Sequence, residues 1–386
     1  MQLTLCGESA LRQLRAFRCA GATAQLMRAR CDLRDPNPSP RKRWTWNLMK
    51  TLDFPAQLGR AAHAFDTGES NTTCGRAPNP AIALNVAVSR KAHRLELRGC
   101  KNTIYAVGMP RGAFTQVGHG LAMSSPELLF VELARELPLP ELMMVGLELC
   151  GGFSLNADMR DSRHVTMDVP PVTSVAKLKA FTLSASRIRG AGNARRALKF
   201  VMDDAWSPME AVVATMLAMP IEKGGYGLGP CDLNRRFDTP QSLLVASARS
   251  SRVPDILIPR AGVGFNYDGE NHLDLNSIVA AVREVDAHPE SASASLDLQS
   301  RLAKVRGKAV DDLRRNRELA ALGLTIFPLV KEDLFRPRGL DAVVAQAMSA
   351  IEVHTGRRLI AQRKALVDET AVARRDEVLR SLISCV

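Results

Sequence analysis

Residues 254–272 read Pro-Asp-Ile-Leu-Ile-Pro-Arg-Ala-Gly-Val-Gly-Phe-Asn-Tyr-Asp-Gly-Glu-Asn-His, and no other stretch limits the fold so strongly. Two short apolar runs, 256–258 and 263–265, flank a Pro-Arg-Ala-Gly turn, a pattern that predicts a β-hairpin. Asp255 opens the first run and Asp268 follows the second. In an antiparallel pair joined by a tight turn, the start of one strand lies opposite the end of the next. Asp255, Asp268 and His272 are therefore expected to meet at one edge of a sheet. Clustered carboxylate oxygens are what a magnesium ion takes as ligands, and a metal-activated water is one route to phosphodiester hydrolysis.

The surrounding sequence resembles the PD-(D/E)XK, restriction-endonuclease-like superfamily, in its very-short-patch-repair-like branch. Upstream, Ser207-Pro208-Met209-Glu210 opens an apolar segment, 211–219, like the helix that brings a glutamate to the family's site. Downstream, Asp312, Arg315, Leu319 and Gly323, followed by the apolar run 325–330, look like its helix-to-strand unit. The resemblance covers roughly residues 200–352 and implies an α/β fold, with a mixed central sheet flanked by helices. It implies Mg²⁺ held by Glu210, Asp255, Asn266 and Asp268, with Asp255, Asp268 and His272 as the catalytic set. It also implies that Arg314, Arg315 and Arg317 contact nucleic acid, DNA rather than RNA. Where the family has Glu-x-Asp-Gly, this chain has Asn266-Tyr267-Asp268-Gly269, and the motif lysine is absent. An amide carries no charge, and affinity for a hard dication falls as ligand charge is removed. A second expectation follows: a DNA-binding regulator or antitoxin-like defence protein without catalysis on the same fold.

Local chemistry offers each of these residues a plainer role. Ser207-Pro208-Met209-Glu210 is a capping box with Pro at the first helical position. Asp268-Gly269 is an ordinary turn pair. Asp311 and Asp312 suit a helix start, and Arg314, Arg315 and Arg317 suit a solvated helix face laced with ion pairs. His272 is a loop histidine in that view, and His63, His93, His119, His164 and His354 read as structural or surface residues.

The rest of the chain divides by composition. Residues 1–50 hold ten basic and three acidic side chains, and residues 1–78 read as a basic, poorly ordered leader broken by Pro-rich and polar stretches. Residues 79–200 read as an α+β module: strands at 82–88, 94–97 and 103–107, then helices at 125–137, from Pro140 to Gly151-Gly152, at 174–184 and at 191–202. The last of these carries Arg195, Arg196 and Lys199. Within this module, 109–114, 125–127 and 148–152 also look like a conserved partner module of such nucleases. The nuclease-like domain is expected at 201–352, with 276–310 containing a Ser/Ala-rich mobile surface loop. A charged helical tail at 353–386 has apolar positions suited to packing or homo-oligomerisation. The net charge of +12 favours a polyanionic partner. Eight scattered cysteines without a Cys-x-x-Cys pair exclude a zinc ribbon and fit a reducing cytoplasm. No apolar run reaches the ~18 residues of a membrane span.

Overall fold

The computed structural model describes residues 3–22, 30–33, 84–95, 100–105, 108–118, 121–156, 165–244, 249–269, 275–288 and 290–386. It is a mixed α/β protein of two compact units, residues 1–215 with 382–386, and residues 216–381. The first unit contains β1 (Leu3–Leu5), α1 (Gly7–Cys19), β2 (Arg30–Cys31), β3 (Leu84–Val88), β4 (Cys100–Ile104), β5 (Phe114–Gly118) and β6 (Leu121–Ser124). It continues with α2 (Pro126–Leu133), α3 (Leu139–Cys150), the short pair β7 (Phe153–Ser154) and β8 (Thr166–Met167), α4 (Val175–Ser184) and α5 (Ala191–Ala197). Then α6 (Pro208–Ala218) leads the chain into the second unit.

Six strands make one mixed sheet in the order β2-β5-β6-β1-β3-β4. At its centre β1 runs parallel to β6 and antiparallel to β3. The start of the expected leader is thus a central strand and a packed helix. Leu3 and Leu5 have no exposed surface. The basic residues there serve the interior: the Arg15 guanidinium donates to Glu148 at 2.9 and 2.6 Å. Arg18 donates to the carbonyl oxygens of Glu148 and Gly151 at 2.7 and 2.8 Å. A buried charge must be paired, so a local excess of arginine reads as a solvated leader unless its distant partner is known. The linkers expected at 32–44 and 66–80 lie outside the described residues, apart from Asp32 and Leu33. Where a strand was expected at 94–97, residues 91–93 form a 3₁₀ turn and 96–97 lie outside the described residues.

The second unit holds β9 (Asp232–Leu233), β10 (Phe237–Asp238), β11 (Ser251–Arg252), β12 (Ile256–Ile258), β13 (Val263–Asp268), α7 (Leu275–Ala287) and α8 (Ala292–Ala321). It ends with β14 (Thr325–Val330), α9 (Lys331–Phe335), α10 (Gly339–Thr355), α11 (Ile360–Val367) and α12 (Glu369–Ser384). Its main sheet has the order β14-β13-β12-β9, with β13 antiparallel to β12 and parallel to β14. The hairpin turn is built from left-handed residues, Arg260 at φ +66° and Gly262 at φ +62°. Pro328 lacks a backbone donor and is accommodated because β14 is an edge strand. The insert expected to be a loop is helical over 275–287 and 292–321. Ser291 caps α8 by accepting the Ala294 N–H at 3.3 Å, and the alanines that suggested a loop are the best helix formers.

Candidate functional site

The hairpin sets the geometry. β12 pairs with β13 through Ile256↔Phe265, Leu257↔Gly264 and Ile258↔Val263. One further step of this register places Asp255 opposite Asn266, and reciprocal bonds fix the pair. The Asp255 N–H donates to Asn266 Oδ1 at 3.0 Å, and the Tyr267 N–H donates to Asp255 Oδ2 at 2.7 Å. Cross-strand partners share a face, and so do residues two apart on a strand. Asp255, Asn266 and Asp268 therefore lie on one face of the sheet, together with Leu257 and Gly264.

Helix α8 covers that face. Leu257 packs with Leu319 and Leu324. One helical turn before Leu319, the Arg315 guanidinium lies 3.7 Å from Asp268 and 3.5 Å from Asp312. Lys308, Asp312 and Arg315 stand at i, i+4 and i+7, a single stripe along the helix. Burial pushes the Asp268 carboxyl above its usual range, and Asp312 adds to this, while Arg315 and Lys308 oppose it. Burial likewise pulls the Lys308 ammonium down, against the carboxylates of Asp312 and Asp268. Lys308 escaped the sequence reading because its neighbours there are on β13, some forty positions earlier in the chain. Its spacing to Asp312 and Arg315 was the available signal.

Asn266 is 1% exposed. Its Oδ1 is occupied by the Asp255 N–H, and its buried Nδ2 has no hydrogen-bond partner among the described residues. Arg314 and Arg317 are exposed, as expected for residues on the outer side of α8. Glu210 belongs to the first unit, where it completes a capping box. It accepts from the Trp206 N–H at 3.0 Å and the Ser207 hydroxyl at 2.9 Å, while Ser207 Oγ accepts the Glu210 N–H at 3.2 Å. His272 lies outside the described residues. His354 has a structural position, with Nδ1 2.8 Å from the Ala261 carbonyl in the hairpin turn.

Each of the four side chains expected to hold a cation thus already has a protein partner on at least one oxygen. Among the described residues no group of three or more His, Cys, Asp or Glu side chains is placed to hold a metal ion. The donor set does not fit Mg²⁺ as arranged: the buried amide oxygen is taken up by backbone, and Asp268 is balanced by a guanidinium and an ammonium. What the cluster does chemically is tie the end of β13 to α8.

Two other features bear on function. All cysteines among the described residues are free, and no helix of the described residues is long and apolar enough to cross a membrane. Compared with known protein families, curated proteins and solved structures, the chain matches none of them.

Proposed function

We propose that this chain is a nucleic-acid-binding protein whose second unit is built on a restriction-endonuclease-like core, and that it binds without cutting. The reading rests on one observation: the hairpin acids and Asn266 are engaged by the protein's own donors, so the edge that would hold a cation serves instead to fix α8. Order along the chain supports the core: α6, β12, β13, α8, β14 and α10 occur in the order helix, strand, strand, helix, strand, helix, with β9 to β11, α7 and α9 interspersed and α6 lying mostly in the first unit. The net charge of +12 supports a polyanionic partner. A regulator or antitoxin-like role in a reducing cytoplasm is compatible with this chemistry.

A second reading, Mg²⁺-dependent phosphodiester hydrolysis, is favoured by the placement of Asp255, Asn266 and Asp268 on one sheet face. In that reading an ion would supply an activated water, and Asp255, Asn266 and Asp268 would have to exchange their present donors to hold it. Purified protein and supercoiled plasmid, with Mg²⁺ or Mn²⁺ against EDTA, separate the two. The proposal expects salt-sensitive binding that is indifferent to metal, with no nicking. Nicking that needs metal and disappears in Asp255→Asn overturns it in favour of hydrolysis. Absence of binding to DNA and RNA alike overturns both.

A further inference from the structure

The positive charge is unevenly shared. Residues 216–381 contain 24 Lys and Arg against 22 Asp and Glu, which leaves 28 against 18 for the first unit. The nuclease-like unit is therefore close to neutral. Within the first unit, no acidic residue occurs between Asp168 and Asp203, while that interval holds Lys177, Lys179, Arg187, Arg189, Arg195, Arg196 and Lys199. All seven are exposed.

The fold gathers them on one structure. Helices α4 and α5 pack against each other, and both pack on α2, whose eight residues are all buried. The inward positions are apolar or small: Val175, Leu178 and Thr182 on α4, and Ala191, Ala194 and Ala197 on α5. On α5, Arg195 and Arg196 occupy the positions between the buried alanines, and Lys199 follows one turn later, so the three share the outward face. Arg187 and Arg189 lie in the connection between the helices. That connection is held down by Gly190 at φ +105°, where a Cβ would come within 2.2 Å of the Val131 carbonyl oxygen. Among the described residues, no carboxylate lies within ion-pair distance of any of the seven. An ordinary solvated face intersperses both signs; this one carries a single sign, with no ion-pair partner among the described residues.

We propose that the α4–α5 surface, not the nuclease-like unit, is the main nucleic-acid interface, and that it grips the phosphate backbone of a duplex. The inference rests on the nucleic-acid-binding reading above and names the surface that performs it. Charge complementarity selects the occupant: repeated anionic groups at regular spacing satisfy a row of cations mounted on rigid helices. Guanidinium and ammonium groups that contact phosphates supply affinity without reading sequence. Each neutralised phosphate releases counterions and steepens the salt dependence by about 0.9 per contact.

The test uses the full-length chain and a fluorescein-labelled random-sequence DNA duplex, titrated over a range of salt. The variant Arg187→Ala/Arg189→Ala/Arg195→Ala/Arg196→Ala changes only exposed residues, and an unchanged thermal unfolding profile checks that it folds. The expected result is affinity lower by about a hundredfold near 0.1 M salt and a salt slope shallower by about 3 to 4. The control, Arg314→Ala/Arg317→Ala on α8, is expected to bind as the wild type does. If the fourfold variant keeps wild-type affinity and slope, the interface lies elsewhere and this inference fails while the binding function stands. A wild type that binds no duplex or RNA at all removes the function and the interface together. Phosphatidylserine vesicles provide the third arm. Capture of the wild type but not the variant by vesicles, without duplex binding, replaces nucleic acid with an anionic membrane surface and overturns the inference.

Discussion

Glu132 accepts from the Tyr105 hydroxyl and, at 2.7 Å each, from the Ser124 hydroxyl and the Gly7 N–H. Burial still drives its carboxyl above the usual range, outweighing those donors and the nearby Arg135. Replacement by Ala strands three donors, the buried Ser124 hydroxyl and the part-buried Gly7 N–H and Tyr105 hydroxyl, and a fully buried one costs roughly 1–3 kcal/mol, partly offset by relaxation. We expect Glu132→Ala to lose about 3 kcal/mol in urea unfolding; a loss under about 1 kcal/mol would mean that water replaces the carboxylate. The pH dependence has a definite sign. A folded-state pKa raised above the unfolded value costs nothing below the unfolded value, where both states are protonated. The cost grows as pH rises through the unfolded value near 4.3. Glu132→Gln lacks this titration, so its deficit against the wild type should narrow as pH rises above about 4.3. Parallel stability curves for the two would refute the assignment. Asn266→Asp makes the converse change, adding a third carboxylate to a sheet face that already holds Asp255 and Asp268. At neutral pH it should cost about 1–3 kcal/mol without metal. Full recovery of that loss by millimolar Mg²⁺ would argue for the hydrolytic reading. At this scale the closeness of Asp255 to the end of the second strand was legible from hairpin geometry, but its pairing with Asn266 was not drawn from it. The cations that face Asp268 were not legible, because Arg315 and Lys308 arrive from a helix whose packing direction no local pattern specifies.

Among the elements, the hairpin and the Asp312–Gly323 helix end were legible, since strand alternation, turn residues and capping act within a few positions. Gly264 carries a constraint from the neighbouring strand. A Cβ there would come within 2.3 Å of the Ile256 carbonyl oxygen and 2.9 Å of Ile326 Cδ1. Backbone cannot give way as a side-chain tip can, so Gly264→Ala should destabilise by about 2–3 kcal/mol, read from the shift in urea midpoint. A loss below about 0.5 kcal/mol would show that the strands separate freely at this point. The insert at 276–310 misled because Ser and Ala runs resemble linker composition. What decides the helix is a cap at Ser291, an Arg301–Asp297 pair at 2.7 Å and a long run of good helix formers. Ser291→Ala should cost about 1 kcal/mol, and hydrogen exchange should report that loss at the first turns of α8. The basic α4–α5 surface was visible in sequence as a long interval without acids. Its meaning was not, because charge of one sign becomes informative only once its exposure is known.

For the molecule as a whole, the sequence placed the mixed α/β class correctly but drew its leader boundary through a packed core. The reason is physical: β1 and α1 are stabilised by strands and helices up to about 130 positions away, so their burial cannot be inferred from a basic local composition. Each unit carries its own reporters of that burial. Cys6 and Cys150 lie in the first unit and Cys231 in the second, all at most 4% exposed. Burial raises all three thiols, Cys231 to about 12. A thiol that is neither exposed nor ionised does not react with a disulfide reagent until the surrounding structure opens. Cys19 and Cys385 are exposed and should label in the native state. Cys6 and Cys150 share one core if β1 and α1 belong to it, so their labelling rates should rise together with urea, whatever the dependence shown by Cys231. Cys6 reacting at the native rate of Cys19, well before Cys150, would instead mean that β1 and α1 detach from the first unit as a leader would.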